Sequence, residues 1–306
     1  MVVDLKAYDY HLRIDPAHGA TVLLAQWRHP AHEWVDLFEP LEQPEAGLKA
    51  GCFVMAPFAN RIDRGCFAFD GANIQLPINA PDEGMAIHGF SRLRSWNVIS
   101  LDATEAVLVD EVEGENHPYN YRLKQRLSIL SDGFRLSLTI QNRGKNRLPF
   151  GIGLHPWFPK TAKTILQFSS AGASRLDART LPEGAPLPVI GFKPDQGIAL
   201  SQLPLVNCCF TGWSDQTACI DWPEKKTGLL LKGEGALCHL HVFNPQDRAV
   251  FCAEPVSHLP DAINRPKLGS DAAMTILSPG EMLSGGAFFS AYALESKGDG
   301  QFSGRH

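Results

Sequence analysis

The chain has 306 residues, 44% of them hydrophobic and 20% charged, with 27 Gly and 22 Pro, a composition that excludes intrinsic disorder, collagen and coiled coil as descriptions of the whole. Lys and Arg number 28 against 33 Asp and Glu, a net charge of −5 with no basic block, so nucleic acid is not an expected partner. No stretch reaches the roughly 18 apolar residues of a membrane span, and the first ten residues carry charges where a signal peptide would have its apolar segment, so no membrane contact and a cytoplasmic location are expected. Seven cysteines are scattered along the chain with no Cys-x-x-Cys pair, which suggests neither a disulfide framework nor a zinc knuckle. Cys52, Cys66, Cys219 and Cys252 sit among apolar neighbours and read as small buried hydrophobes.

The elements announce themselves mainly as hairpins. Residues 67–76 read as two short strands around an Asp70-Gly71 turn. Further on, Phe134, Leu136, Leu138 and Ile140 alternate with Arg135, Ser137, Thr139 and Gln141 after an Asp132-Gly133 turn, which predicts a second hairpin. Residues 159–205 are rich in Gly, Pro, Ser and Ala and predict long loops with irregular strands. Two strands are expected to flank Lys232-Gly-Glu-Gly235, and two more, 238–243 and 249–253, to flank Asn244-Pro-Gln-Asp247. No run of ten residues has helical periodicity. Short strands and turn residues at this density predict an all-β antiparallel sandwich or barrel. With no repeat and no linker, residues 1–295 read as a single domain. The tail 296–306 has too few apolar residues to pack and is expected to be mobile.

Four residues stand out as chemically surprising in such a fold. His88, in Ala86-Ile-His-Gly-Phe90, and His155, in Gly151-Ile-Gly-Leu-His-Pro-Trp-Phe158, each lie beside Gly or Pro at an expected strand end, where a rigid scaffold can present a side chain to a cleft; either could equally be a turn histidine bonded to a carbonyl. Glu254 follows an apolar strand and precedes a proline. Burial would raise its pKa and suit a general base, while a strand-end ion pair with Arg265 is the plain alternative. Arg61 interrupts the apolar Pro57-Phe-Ala-Asn-Arg-Ile62 and either anchors a ligand oxygen or caps a loop.

Taken together and in order, these segments resemble the galactose mutarotase (aldose 1-epimerase) family: Pro57-Phe-Ala-Asn-Arg-Ile62 with Gly65-Cys-Phe-Ala-Phe-Asp-Gly71, then His88-Gly, Gly153-Leu-His-Pro-Trp-Phe158, Glu254-Pro and Thr275-Ile-Leu-Ser-Pro-Gly-Glu281. The resemblance runs from about residue 5 to 295. It implies an antiparallel β-supersandwich with a sugar cleft across one face, and an isomerase that needs no cofactor and no metal. Carried over by position, it places the general base at Glu254, the general acid at His155, and sugar-binding positions at Arg61 and His88 with Asn60 beside them. Where the family usually has an Asp shortly before a Phe, contacting distal hydroxyls, this chain offers Asn207, which keeps an acceptor and adds a donor without the charge. Trp157, Phe158 and Trp213 are candidates for stacking on a sugar face, Trp213 first among them.

The residue types suit anomer interconversion. Opening a pyranose removes a proton from the C1 hydroxyl and adds one to the ring oxygen, and after rotation about C1–C2 the ring closes on the other face; one base and one acid suffice. The expectation is Glu254 as carboxylate, His155 as imidazolium, a free neutral aldose as substrate, and a protein that works as monomer or homodimer. Alternatives are a hexose-6-phosphate mutarotase using Arg92, Arg94 or Arg265, a carbohydrate-binding protein without catalysis, and a metal site built from His239, His241 and His258, for which no acidic third ligand is evident.

Overall fold

In a computed structural model the chain is almost wholly β, and residues 1–31, 34–114, 117–188 and 194–295 are described. Among them, seventeen strands form one continuous antiparallel network, joined by three small two-stranded sheets. Among the described residues no helix is long and apolar enough to cross a membrane. The expected tail, 296–306, lies outside the described residues.

The hairpins form where turn chemistry placed them. Tyr121–Leu130 and Gly133–Asn142 pair in register from Leu130↔Gly133 outward, burying alternate residues as period two requires. Cys66–Phe69 and Ala72–Gln75 close around Asp70 and Gly71, both with positive φ, and His239–Asn244 pairs with Val250–Val256 across the 245–249 turn.

One turn expectation fails. Lys232-Gly-Glu-Gly235 is no turn: it is the end of the Thr227–Gly235 strand, paired with the Met282–Ala293 strand. Gly233 is there because a Cβ would lie 2.7 Å from the Trp213 ring and 2.4 Å from the Leu237 carbonyl, while Gly235, at φ +59°, leads out of the strand into the turn at Ala236. The reading of 159–205 as long loops with irregular strands holds among the described residues: Ile165–Ala173 pairs with Val206–Trp222 through a register break between Phe168 and Ser170, and the stretch after it is mostly loop. Of the four cysteines read as buried, Cys66 and Cys219 are only half-buried.

The strands that matter for function are buried on both faces. In Gly153–Pro159, Leu154 and Phe158 point into the main hydrophobic core, whereas Trp157 joins a second apolar cluster with Phe53, Met55, Cys209, Cys252 and Val256. The Val250–Val256 strand divides likewise, Phe251 and Ala253 facing the main core and Val250, Cys252 and Val256 the second cluster. Alternation therefore sends the odd positions of one strand and the even positions of the other to the same outer face. His155 and Glu254 have those parities.

Candidate active site

Register brings the site together. Cys209 lies opposite His241, His241 opposite Glu254, and His155 opposite Phe53; Gly153 pairs with Val256 and Trp157 with Cys252, which sets His155 beside Glu254. Cys209, His241, Glu254, His155 and Phe53 thus form one row across five strands. The adjacent row on the same face is Asn207, Phe243, Cys252 and Trp157. Side chains opposite one another in an antiparallel pair project to the same side, so both rows lie on the face that carries a cleft of about 320 Å³; His155, Trp157, Asn207, His241, Phe243 and Glu254 line it together with Asn60, Arg61 and His88, whereas Phe53, Cys209 and Cys252 do not and pack in the second apolar cluster.

The remaining members arrive on loops fastened to one another. Arg61–Asp63 pairs with Met85–Ile87, the His88 N–H donates to the Asn60 carbonyl at 2.8 Å, and Asn60, His88 and Gly89 all have positive φ. At Gly89 a Cβ would meet the Ala56 carbonyl oxygen at 1.9 Å, so only glycine fits. His258 braces the same loop, its Nε2 accepting from the Ala59 N–H at 3.0 Å while Nδ1 donates to the Leu259 carbonyl at 2.8 Å.

At the centre, His155 Nε2 is 3.3 Å from Glu254 Oε1, the two residues being 5% and 1% exposed. Burial pushes the Glu254 carboxyl well above its usual range, opposed by the Arg61 charge. Burial also holds the His155 imidazole well below its usual range, helped by His241 and Arg92. Both shifts disfavour charge, so burial favours a carboxylic acid beside a neutral imidazole in this pair. Glu254 Oε2, Nδ1 of His88, His155 and His241, and Trp157 Nε1 are buried with no partner within the protein. Buried polar atoms without partners are uncommon in folded proteins, and five of them cluster in these four residues and Trp157.

Around the pair, His155 stacks between Phe53 at 4.3 Å and Trp157 at 5.2 Å, and His88 meets its edge at 5.0 Å. His241 Nε2 lies 2.8 Å from Asn207 Oδ1 and 3.4 Å from Asn60 Nδ2, and burial pushes its pKa down to about 3. Arg61 donates from Nε to Glu83 at 2.9 Å and from Nη1 to Asn60 Oδ1 at 3.2 Å.

Of the residues singled out in the sequence, Glu254, His155, Arg61, His88, Asn60 and Asn207 converge here. Trp213 does not: it is buried in the main core, donating to the Thr217 carbonyl at 2.6 Å, and Trp157 takes the aromatic place at the cleft. His155 is mid-strand rather than at a strand end. Arg265 pairs with Asp261 at 2.8 Å, leaving no strand-end ion pair for Glu254. Arg94 is committed to Asp110 at 2.8 Å, and Arg92 packs over the Phe53 ring at 5.6 Å, largely desolvated, so none of the three arginines weighed for a phosphate lines the cleft. The histidine metal set does not converge either, since His239 donates to the Asp271 carbonyl at 2.9 Å while His258 and His241 are engaged as above. Sequence reasoning missed Glu83, Lys49, Arg248 and Phe243 at the cleft; nothing local distinguishes them from surface residues.

The aldose 1-epimerase profile matches residues 14–287. The uncharacterized protein YphB of Escherichia coli (strain K12) is similar at 29% identity over 283 residues, covering 88% of this chain and 92% of that one. Among solved structures, a galactose mutarotase-like protein from Clostridium acetobutylicum superposes with a TM-score of 0.85 at 21% identity, over 96% of this chain and 95% of that one. A galactose 1-epimerase from Lactobacillus acidophilus NCFM does so with a TM-score of 0.76 at 16% identity, over 96% and 95%. A buried histidine–carboxylate pair on adjacent strands, inside a profile match covering most of the sequence, places this chain in the aldose 1-epimerase family.

Proposed function

We propose that the protein interconverts the α and β anomers of a free aldose by opening and reclosing the pyranose ring. The observation that carries this reading is the buried His155–Glu254 pair, 3.3 Å apart and both lining one cleft. In the productive state Glu254 is the carboxylate and His155 the imidazolium. Glu254 removes the C1 hydroxyl proton, His155 delivers its proton to the ring oxygen, and the C1–O5 bond breaks to leave the aldehyde. The pair is then a carboxylic acid beside a neutral imidazole, the protonation state that burial favours. Closure on the other face returns both protons. Since a pair in that state already holds one proton, moving it from Glu254 to His155 across the 3.3 Å gap produces the ring-opening state. Substrate hydroxyls hydrogen-bonded to the carboxylate of Glu254 and the imidazolium of His155, both of which line the cleft, favour that transfer by stabilising the charged forms.

Arg61, Asn60, His88 and Asn207 bind hydroxyls in this reading, and Trp157 offers its ring and its unpartnered N–H. A neutral aldose is proposed first because Arg94 and Arg265 are ion-paired to Asp110 and Asp261 and Arg92 packs over Phe53, outside the cleft lining; Arg61, Lys49 and Arg248 do line the cleft, which makes the 6-phosphates the necessary comparison. Polarimetry or exchange NMR on freshly dissolved aldoses and their 6-phosphates tests it. Acceleration of a neutral aldose is expected; no acceleration of any sugar overturns the proposal, and a clear preference for a phosphate overturns the substrate class.

A further inference from the structure

We propose that Cys252, together with His155 and Glu254, forms a binding site for Zn²⁺, and that its occupation switches off the acid–base pair. A thiol sulfur, a ring nitrogen and a carboxylate oxygen of these residues lie within 4.8 Å of one another, and the three residues are 0%, 5% and 1% exposed. They converge for a backbone reason. Cys252 and Glu254 are alternate residues on one strand face, and His155 projects to that face from the neighbouring strand opposite Glu254, with Cys252 one rung along, opposite Trp157.

Zinc bonds of about 2.0–2.3 Å in a tetrahedron put ligand atoms about 3.3–3.8 Å apart. The His155–Glu254 separation is already 3.3 Å, and closing the longest of the three gaps takes about 1 Å of side-chain rotation. One imidazole, one thiolate and one carboxylate are ligand types zinc favours, and three protein ligands leave a fourth position for water. Both His155 and Glu254 line the cleft, which supplies that water and a route in. On coordination the Cys252 thiol and the Glu254 carboxyl each give up a proton to solvent, and the resulting thiolate and carboxylate balance the dication. The occupied site is therefore electroneutral, as a buried site should be. The bland alternative is that Cys252 only fills space between its cross-strand neighbours Phe243 and Trp157.

Zinc binding stands or falls on geometry alone, whereas its inhibitory effect rests on the proposed epimerase activity. Equilibrium dialysis of the full chain, stripped with EDTA and titrated with ZnCl₂, should show one site that Cys252→Ala weakens at least about tenfold. Cobalt(II) in place of zinc should give a thiolate-to-metal charge-transfer band that vanishes in the same variant. Anomerisation should be inhibited by zinc, restored by EDTA, and in Cys252→Ala be unchanged without metal but need at least about tenfold more zinc for inhibition. Cys252→Ser, which preserves the volume, repeats each measurement should the alanine variant fold poorly. Wild-type affinity in both Cys252 variants, or no charge-transfer band, overturns the site. A Cys252-dependent zinc site in a protein that accelerates no sugar leaves the site standing and overturns the epimerase reading instead.

Discussion

Replacing Glu254 by Gln isolates the proton-transfer step from the architecture around it. The amide has nearly the same shape, keeps an atom facing His155 Nε2 at about the present 3.3 Å, and breaks no existing contact at Oε2, which has none. What it removes is a base worth about 10²–10⁴-fold, or about 2.7–5.4 kcal/mol of barrier at about 1.36 kcal/mol per tenfold. Stability should move the other way. Because the folded carboxyl has its pKa raised above the unfolded value, its protonation contributes stability at low pH that is lost as pH rises through the raised value. An amide has no charge to bury, so Glu254→Gln should melt like wild type below the ordinary carboxylate range and become progressively more stable than wild type above it. Polarimetry of freshly dissolved α-glucose or α-galactose, paired with melting curves from pH 4 to 9, measures both effects. A variant keeping more than about a tenth of the wild-type rate, or losing stability as pH rises, would falsify the assignment of a buried, proton-holding base.

The pH profile of kcat/KM should be a broad plateau. The pair works with one proton, so the acid limb, where His155 takes up a second, lies below the ordinary imidazole range, and the alkaline limb, where Glu254 loses the only one, lies above the ordinary carboxylate range; an acid limb at or above the ordinary imidazole range, or an alkaline limb at or below the ordinary carboxylate range, contradicts this. Asn207→Asp puts a carboxylate 2.8 Å from His241 Nε2, so NMR titration should find the His241 pKa lifted from about 3 by about 1–3 units, with KM among epimers at the distal hydroxyls changing more than kcat. An unmoved His241 would mean the contact does not exist in solution. Gly89→Ala forces a Cβ to within 1.9 Å of the Ala56 carbonyl at a φ of +66°; chemical denaturation should register a loss of about 3 kcal/mol or more, and wild-type stability would show that the His88 turn adopts another path.

Much of the fold was legible because turn chemistry is local. Asp70-Gly71 and Asp132-Gly133 closed hairpins where they stood, and alternation in residues 134–141 fixed which side chains are buried. Gly233 misled because the same residue that permits a reversal also permits a neighbouring indole to approach the backbone. Glu254 and His155 were visible as polar residues in apolar strands, and their order along the chain supplied the family. Their adjacency was not visible, since it depends on the registers of strands separated by up to about a hundred residues. For the same reason Trp157 and Trp213 could not be ranked: one faces the second apolar cluster and the other the main core, a choice made by strand pairing and not by either residue's neighbours.

The row from Cys209 through His241, Glu254 and His155 to Phe53 draws on five strands, with no two of its members on the same one. No fragment short of most of the chain can therefore assemble it, and it cannot come apart while the ladders on either side remain closed. Enzymes whose reactive groups ride on hinged lobes lose activity in mild denaturant well before they unfold, because the hinge gives way first. Here the proposed acid and base, His155 and Glu254, are neighbouring rungs of one sheet, and the ladder hydrogen bonds of that sheet hold them together. Inactivation and global unfolding in urea should accordingly trace a single curve, and the amide protons of these rungs should exchange with solvent at the rate set by complete unfolding.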